Sequence, residues 1–453
     1  MKKKVSSKDK LDDASLPVVH RKAAGIDIGS RFHVVAVPPD LASESIRTFD
    51  SFTGDLQEMA RWLKDLGIKT VAMESTGVYW IPAFSILQEK GIEVYLVNAS
   101  LAKNVPGRKT DINDAQWLQR LHSFGLLRNS FQPAENIASL RAHLRHRDNL
   151  IEYKAAHIQH IQKALMLMNL QVHHVVSDIT GVTGMRIVRA IVAGERDARI
   201  LASFRDVRCK SSLETIEKSL VGSYKLEHLL QLRHAVELCD HYQQKIDECD
   251  QQIESILQLL QLNKSPPEEP LPKHRHRTKQ PNDPNFDARS YLYRITGVDV
   301  TKVHGMGPHT VLKLIGECAL DMSKWPTAKH FTSWLTLSPG NKISGGKVLS
   351  SKTRRSTSKS ATMFRLAAVN VGKMDSALGA FYRRLAARVG KAKAVTATAR
   401  KLAVIFYNTL RYGTKFVDPG AEYYEEKYRE RVITHMAKKA KKLGFELREL
   451  VPA

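Results

Sequence analysis

Apolar residues fall in short unbroken runs over the first hundred positions and at helical spacing further along. Ala24-Gly25-Ile26-Asp27-Ile28-Gly29-Ser30 reads as a short buried strand carrying one carboxylate, and Phe32-His33-Val34-Val35-Ala36-Val37 as the strand returning from it. Gly29 permits the sharp turn between them. Leu56, Met59, Leu63 and Leu66 give a helix that stops at Gly67. Lys69 to Glu74 is then a strand ending in a carboxylate, Trp80 to Lys90 a helix stopped by Gly91, and Ile92 to Val97 another strand. Trp117, Leu118 and Leu121 mark a further helix, N-capped by Thr110 or Asp111. Strands separated by helices predict a partly parallel sheet, whose ligands gather at the strand carboxyl ends, where Asp27 and Glu74 would sit.

A 3-4 rhythm then runs from Ile137 to Met168, interrupted by Arg147 and Lys154, and again from Leu229 to Leu260, interrupted by Gln243 and Asp250. Both predict long helices suited to coiled-coil packing, with each other or with another subunit. Between them, Ser177 to Ser212 reads as a smaller helical insert. Asn263 to Asp287 is rich in proline and too poor in apolar residues for a core, so a disordered or extended linker is expected. Val303-His304-Gly305-Met306-Gly307-Pro308 precedes a Pro-initiated helix, and free N–H groups at Gly305 and Gly307 are suited to an anion, as in a helix-hairpin-helix. Asn341 to Lys359 reads as a flexible phosphate-contacting loop with Lys347, Arg354, Arg355 and Lys359. One of its serines could attack a phosphodiester, and spacing does not choose among Ser344, Ser350, Ser351, Ser356 and Ser358. Helices over Ala361–Val371 and Ala377–Tyr412 complete this domain, and the tail from Ala421 reads as a surface helix. The fold class is α/β followed by α.

Charge narrows the function. The 453 residues carry 70 Lys and Arg against 46 Asp and Glu, a formal net charge of +24. Such an excess repels itself unless a polyanion relieves it, and nucleic acid is the commonest such partner. No apolar run is long enough to span a bilayer, and the basic Met1-Lys2-Lys3-Lys4 start lacks the apolar core of a signal peptide. Four cysteines without metal-site spacing fit a reducing, cytoplasmic interior. Each acid near the first sheet has an ordinary explanation: Asp27 precedes a turn, while Asp111 and Asp114 suit a helix's first turn. Four carboxylates at two strand ends and one helix start argue instead for a shared hard cation, Mg2+.

Four stretches together resemble one family: Gly25-Ile26-Asp27-Ile28; Met73-Glu74-Ser75-Thr76-Gly77; Arg108-Lys109-Thr110-Asp111 with Asp114-Ala115; and Pro339-Gly340 with Ser344-Gly345. The family is the DEDD transposases of bacterial insertion sequences, related to the Piv DNA invertase. The resemblance implies an RNase H-like, RuvC-type domain holding Mg2+ on Asp27, Glu74, Asp111 and Asp114. It also implies a mostly helical C-terminal transposase domain with its serine nucleophile at Ser344. DNA ends and target, a structured bridge RNA and a second subunit, in a dimer or tetramer, are the implied partners, in the bacterial cytoplasm at the nucleoid. Lys103, Arg108 and Lys109 join the nucleic-acid contacts already named. The expected division is a basic tail (1–20), the RuvC-like domain (21–130), a coiled-coil region (131–262), the linker (263–288), the transposase domain (289–418) and a helical tail (419–453). The alternatives are a water-using junction nuclease, a non-catalytic RNA- or DNA-binding scaffold, and an actin-like ATPase built on Gly25–Gly29 and Gly297-Val298-Asp299-Val300.

Overall fold

The computed structural model describes residues 17–97, 111–262, 282–355 and 357–448, together with 265, 267, 269–272 and 280; Asp111 is described by its backbone. The chain divides into two compact units, Met1–Gln132 and Pro133–Ala453.

The first unit runs β1 (Ala23–Ile28), β2 (Phe32–Ala36), β3 (Ile46–Asp50), α1 (Thr53–Asp65), β4 (Thr70–Glu74), α2 (Trp80–Glu89), β5 (Glu93–Val97) and α3 (Asp111–Ser123). The five strands lie in the order β3-β2-β1-β4-β5; β1 to β3 form an antiparallel meander, and β4 and β5 join β1 in parallel. This arrangement is compatible with an RNase H-like fold. Strand β3 is absent from the sequence prediction. Within Ile46-Arg47-Thr48-Phe49-Asp50 only Phe49 is buried, so this edge strand carries almost no apolar signal.

Alternation sorts the sheet into two faces. Ile26 and Ile28, Val35, Val71 and Met73, and Val94 and Leu96 pack with Leu56, Met59 and Leu63 of α1 and Ala83 and Leu87 of α2. The opposite face carries Gly25 and Asp27, Val34 and Ala36, and Ala72 and Glu74, and α3 is the helix that lies on it: Ala115 packs with Val34 and Ala36.

The second unit begins with α4 (Glu135–Leu167), continues through α5 (Val172–Val175), α6 (Val182–Val192), α7 (Ala198–Ser203) and α8 (Leu213–Ser219), and returns along α9 (Leu226–Leu262). Helices α4 and α9 pack antiparallel on each other, and the polar interruptions of the two apolar patterns meet. Arg147 donates to both carboxylate oxygens of Asp250, at 2.6 and 3.2 Å, and Lys154 donates to the Gln243 side chain. The Arg147–Asp250 pair is buried, so either group alone would be left as an unpaired buried charge; together they fix the register. The short helices cap the far end around Ile187, Ile191, Leu201 and Ile216.

Described residues of the Pro-rich stretch are tied down rather than loose. The Pro272 carbonyl accepts from Arg289 at 2.9 Å, the Asn282 carbonyl from Arg147 at 3.1 Å, and the Asn285 N–H donates to Asp250 at 3.1 Å. Beyond it come α10 (Ala288–Thr296), α11 (Pro308–Cys318), α12 (Ala328–Trp334), β6 (Lys342–Ser344), β7 (Lys347–Ser350), α13 (Lys359–Gly372), α14 (Ala377–Val389), α15 (Lys391–Tyr412) and α16 (Gly420–Lys442). The run expected as one helix over Ala377–Tyr412 is two, broken at Gly390. Phe331, Phe364, Phe406 and Tyr407 form the buried centre, and the Tyr407 hydroxyl donates to the Trp325 carbonyl at 2.8 Å. Among the described residues no helix is long and apolar enough to cross a membrane.

Candidate active site

In the first unit, Ile26 pairs with Met73 across β1 and β4, so the next residue on each strand, Asp27 and Glu74, stands at the carboxyl end of adjacent parallel strands. Both belong to the face that α3 covers, and both are half-buried. The helix reaches that face because Gly25, two residues before Asp27, has no side chain. A Cβ there would lie 2.3 Å from the Ala115 carbonyl oxygen and 2.3 Å from the Gln119 nitrogen, so α3 touches the strand with its backbone.

Several bonds fix which way α3 runs. The Ser123 carbonyl accepts from the Val19 and His20 N–H groups at 2.8 and 2.9 Å, just before β1 begins. His122 Nε2 shares a 2.9 Å hydrogen bond with Thr70 Oγ1 at the start of β4, and its ring lies against Tyr95 and His20. The carboxyl end of α3 is thereby tied to the amino ends of the strands. Its first turn, with Asp111 and the half-buried Asp114, lies at the end where Asp27 and Glu74 stand. Burial, with the His20 ring beside it, lowers the His122 pKa to about 4, so this imidazole is neutral at pH 7.

The donor set at this corner is oxygen only, which fits a hard divalent cation. Among the described residues no group of three or more His, Cys, Asp or Glu side chains stands close enough to hold one, and the Asp111 side chain lies outside them. Thr76 donates to Glu74 Oε1 at 3.4 Å, and Asp27 and Asp114 have polar partners of their own. Lys103, Arg108 and Lys109 lie outside the described residues. Gly25, Thr70 and His122 position the helix, a role that neither composition nor spacing assigns to them. The available signal was Thr70 and Glu74 themselves, polar residues four apart on one strand and therefore on one face.

In the second unit the serine-rich stretch is not a flexible loop at its start but a β-hairpin. Ser344 pairs with Lys347 around Gly345-Gly346, whose φ values of +53° and +74° suit a tight two-residue turn. The hairpin is pinned at its base, where Pro339 bridges to Thr353, the Gly340 N–H donates to the Lys352 carbonyl at 3.0 Å, and Arg354 donates to the Ser333 carbonyl at 2.8 Å. Two serines have structural tasks: Ser358 caps α13 by accepting from the Ala361 N–H, and Ser350 accepts from the Lys352 N–H. Ser356 lies outside the described residues. The Ser344 side chain is exposed beside the turn, and Lys347, Arg355 and Lys359 are exposed as well.

Gly305 has a packing reason: a Cβ there would lie 2.6 Å from the Ala367 carbonyl of α13. Gly307 is open and exposed at the start of α11. Asp299, offered as a second phosphate motif of an ATPase, is buried, ion-paired with Arg289 at 2.5 Å and caps a short helical turn.

A transposase family model of the DEDD, IS110 type matches residues 24–169, and a second, described as the transposase IS116/IS110/IS902 family, matches residues 299–383. The chain belongs to the IS110 family of DEDD transposases. It is therefore an enzyme that acts on DNA. The first match contains Asp27, Glu74, Asp111 and Asp114, and the second contains Gly305, Gly307 and the whole serine hairpin. No curated protein matches the transposase by sequence.

Proposed function

We propose that the transposase recombines DNA at specific sites through a phosphoserine link formed by Ser344, with Asp27, Glu74, Asp111 and Asp114 holding Mg2+. The reading is carried by one observation: Asp27 and Glu74 end adjacent parallel strands on the face whose covering helix starts with Asp111 and Asp114. Carboxylates drawn together at this corner would repel one another unless a cation lay among them. A bound Mg2+ would neutralise the charge that builds on a phosphate during displacement. The chain's own residues do the rest. The Gly25 contact and the Thr70–His122 bond hold the α3 acids in place. The Ser344 hydroxyl loses its proton, forms a bond from Oγ to phosphorus, and releases a deoxyribose oxygen as a hydroxyl. The phosphoester energy is kept in the enzyme link, so a second hydroxyl can reverse the step and rejoin strands without an external energy source. Lys347, Arg354, Arg355 and Lys359 would hold backbone phosphates around the serine. A structured RNA chooses the site, and the enzyme works as a homo-oligomer in which one subunit's acids meet another's serine.

The test is covalent capture. Ser344→Ala should abolish protein–DNA adducts, and adducts persisting in that variant would move the nucleophile elsewhere. Glu74→Gln should abolish them too while leaving RNA binding intact. Free hydroxyl and phosphate ends without any adduct would favour hydrolysis by water.

A further inference from the structure

The serine hairpin exposes apolar surface that the chemistry of Ser344 does not need. Ile343, Val348 and Leu349 are 61, 58 and 70% exposed, on the short ribbon from Lys342 to Ser350. Branched aliphatic side chains left in water at this density mark a surface that another molecule covers. The hairpin also shows register control. Lys342 pairs with Ser350 and Ile343 with Val348, so Leu349 is the extra, unpaired residue of a bulge, a device that re-aims a side chain.

The surroundings identify what covers it. From Lys342 to Lys359 there are cations at 342, 347, 352, 354, 355 and 359 and no acidic residue. The occupant must therefore present dense negative charge and, between the charges, apolar surface. Duplex DNA does both, with phosphates along each groove edge and base edges, including thymine methyl groups, on its floor. The major groove, about 12 Å wide, admits a two-stranded β-ribbon. A protein partner would need an acidic rim around an apolar pocket, and a membrane would need a longer apolar face.

We propose that the Lys342–Ser350 hairpin enters the major groove of duplex DNA, with Ile343, Val348 and Leu349 against base edges and Lys342, Lys347 and Lys352 on flanking phosphates. The inference rests on the family's action on DNA and not on Ser344 being the nucleophile. The groove contact makes the hairpin a grip on the duplex, and its anchored base fixes where that grip stands on the second unit.

The test uses the full chain with mixed-sequence duplex DNA. Leu349→p-benzoylphenylalanine, irradiated in the complex, should give an adduct destroyed by DNase. Ile343→Thr/Val348→Thr/Leu349→Gln should lose about tenfold or more in affinity at an unchanged salt slope, whereas Lys347→Gln/Lys352→Gln should lower the slope by roughly two. These positions are exposed, and an unchanged thermal melt verifies that the variants fold. An adduct that is a covalent dimer of the chain, an RNase-sensitive adduct, or triple-variant affinity within about twofold of the parent would each overturn the proposal. Ser344→Ala keeps the hairpin intact, so loss of groove binding and loss of the phosphoserine link are separately observed.

Discussion

Asp27 and Glu74 stand on a sheet face roofed by a helix whose backbone touches Gly25, while Ser344 stands on an exposed ribbon pinned at its base. On the proposed mechanism the difference follows from what each group must do. Carboxylates that share a cation have to be held close against their own repulsion, which takes rigid backbone packing and a buried Thr70–His122 bond behind it. A hydroxyl proposed to attack a polymer has to be carried to it, and the Ser344 side chain is exposed. One region is built from the inside out, and the other carries its side chains on the surface.

The comparison breaks most visibly at Gly25. Gly25→Val puts side-chain atoms on the Ala115 and Gln119 backbone, which cannot yield without moving α3, so a loss of more than about 4 kcal/mol is expected. Chemical denaturation would measure it, and a stable Gly25→Val chain with normal adduct formation would show that α3 need not touch β1.

A smaller effect is expected from acid. His122 binds a proton in the unfolded chain near pH 6.5 but in the folded chain only near pH 4. Between those values the unfolded state holds more protons, so stability falls as pH drops through the window, by on the order of 2–3 kcal/mol in all, and levels off below it. His33, buried elsewhere in the same unit, is shifted in the same direction by its burial. His122→Phe should therefore reduce the slope of stability against pH rather than remove it; an unchanged slope would count against a neutral, buried His122.

The smallest effect belongs to the hairpin. Ile343→Ser should change stability by no more than about 0.5 kcal/mol, since the side chain is already in water. A large loss would mean that the ribbon packs against the body.

Much of this was legible because apolar runs and their interruptions carry physical information. Strands β1, β2, β4 and β5 are nearly continuous apolar stretches, and Arg147 and Lys154 on one helix anticipate Asp250 and Gln243 on the other. The edge strand β3 stayed hidden because Thr48 and Asp50 are exposed and the residue that shares the face of Phe49 is a cation, Arg47, stacked over its ring. The hairpin stayed hidden because serine, glycine and lysine surround three apolar residues, so composition suggests a loop while Gly345-Gly346 dictates a turn. The acids themselves were legible as candidates, but the packing that sets the first turn of α3 at the same end of the sheet depends on Gly25, whose meaning appears only once α3 lies on it.

The most direct measurement is the anomalous scattering of Mn2+ soaked into crystals of the full chain. The expected result is a peak within about 2–2.3 Å of carboxylate oxygens of Asp27, Glu74 and the α3 acids, lost in Glu74→Gln. A peak elsewhere on the molecule, or none at saturating Mn2+, would contradict the convergence of these side chains on one cation.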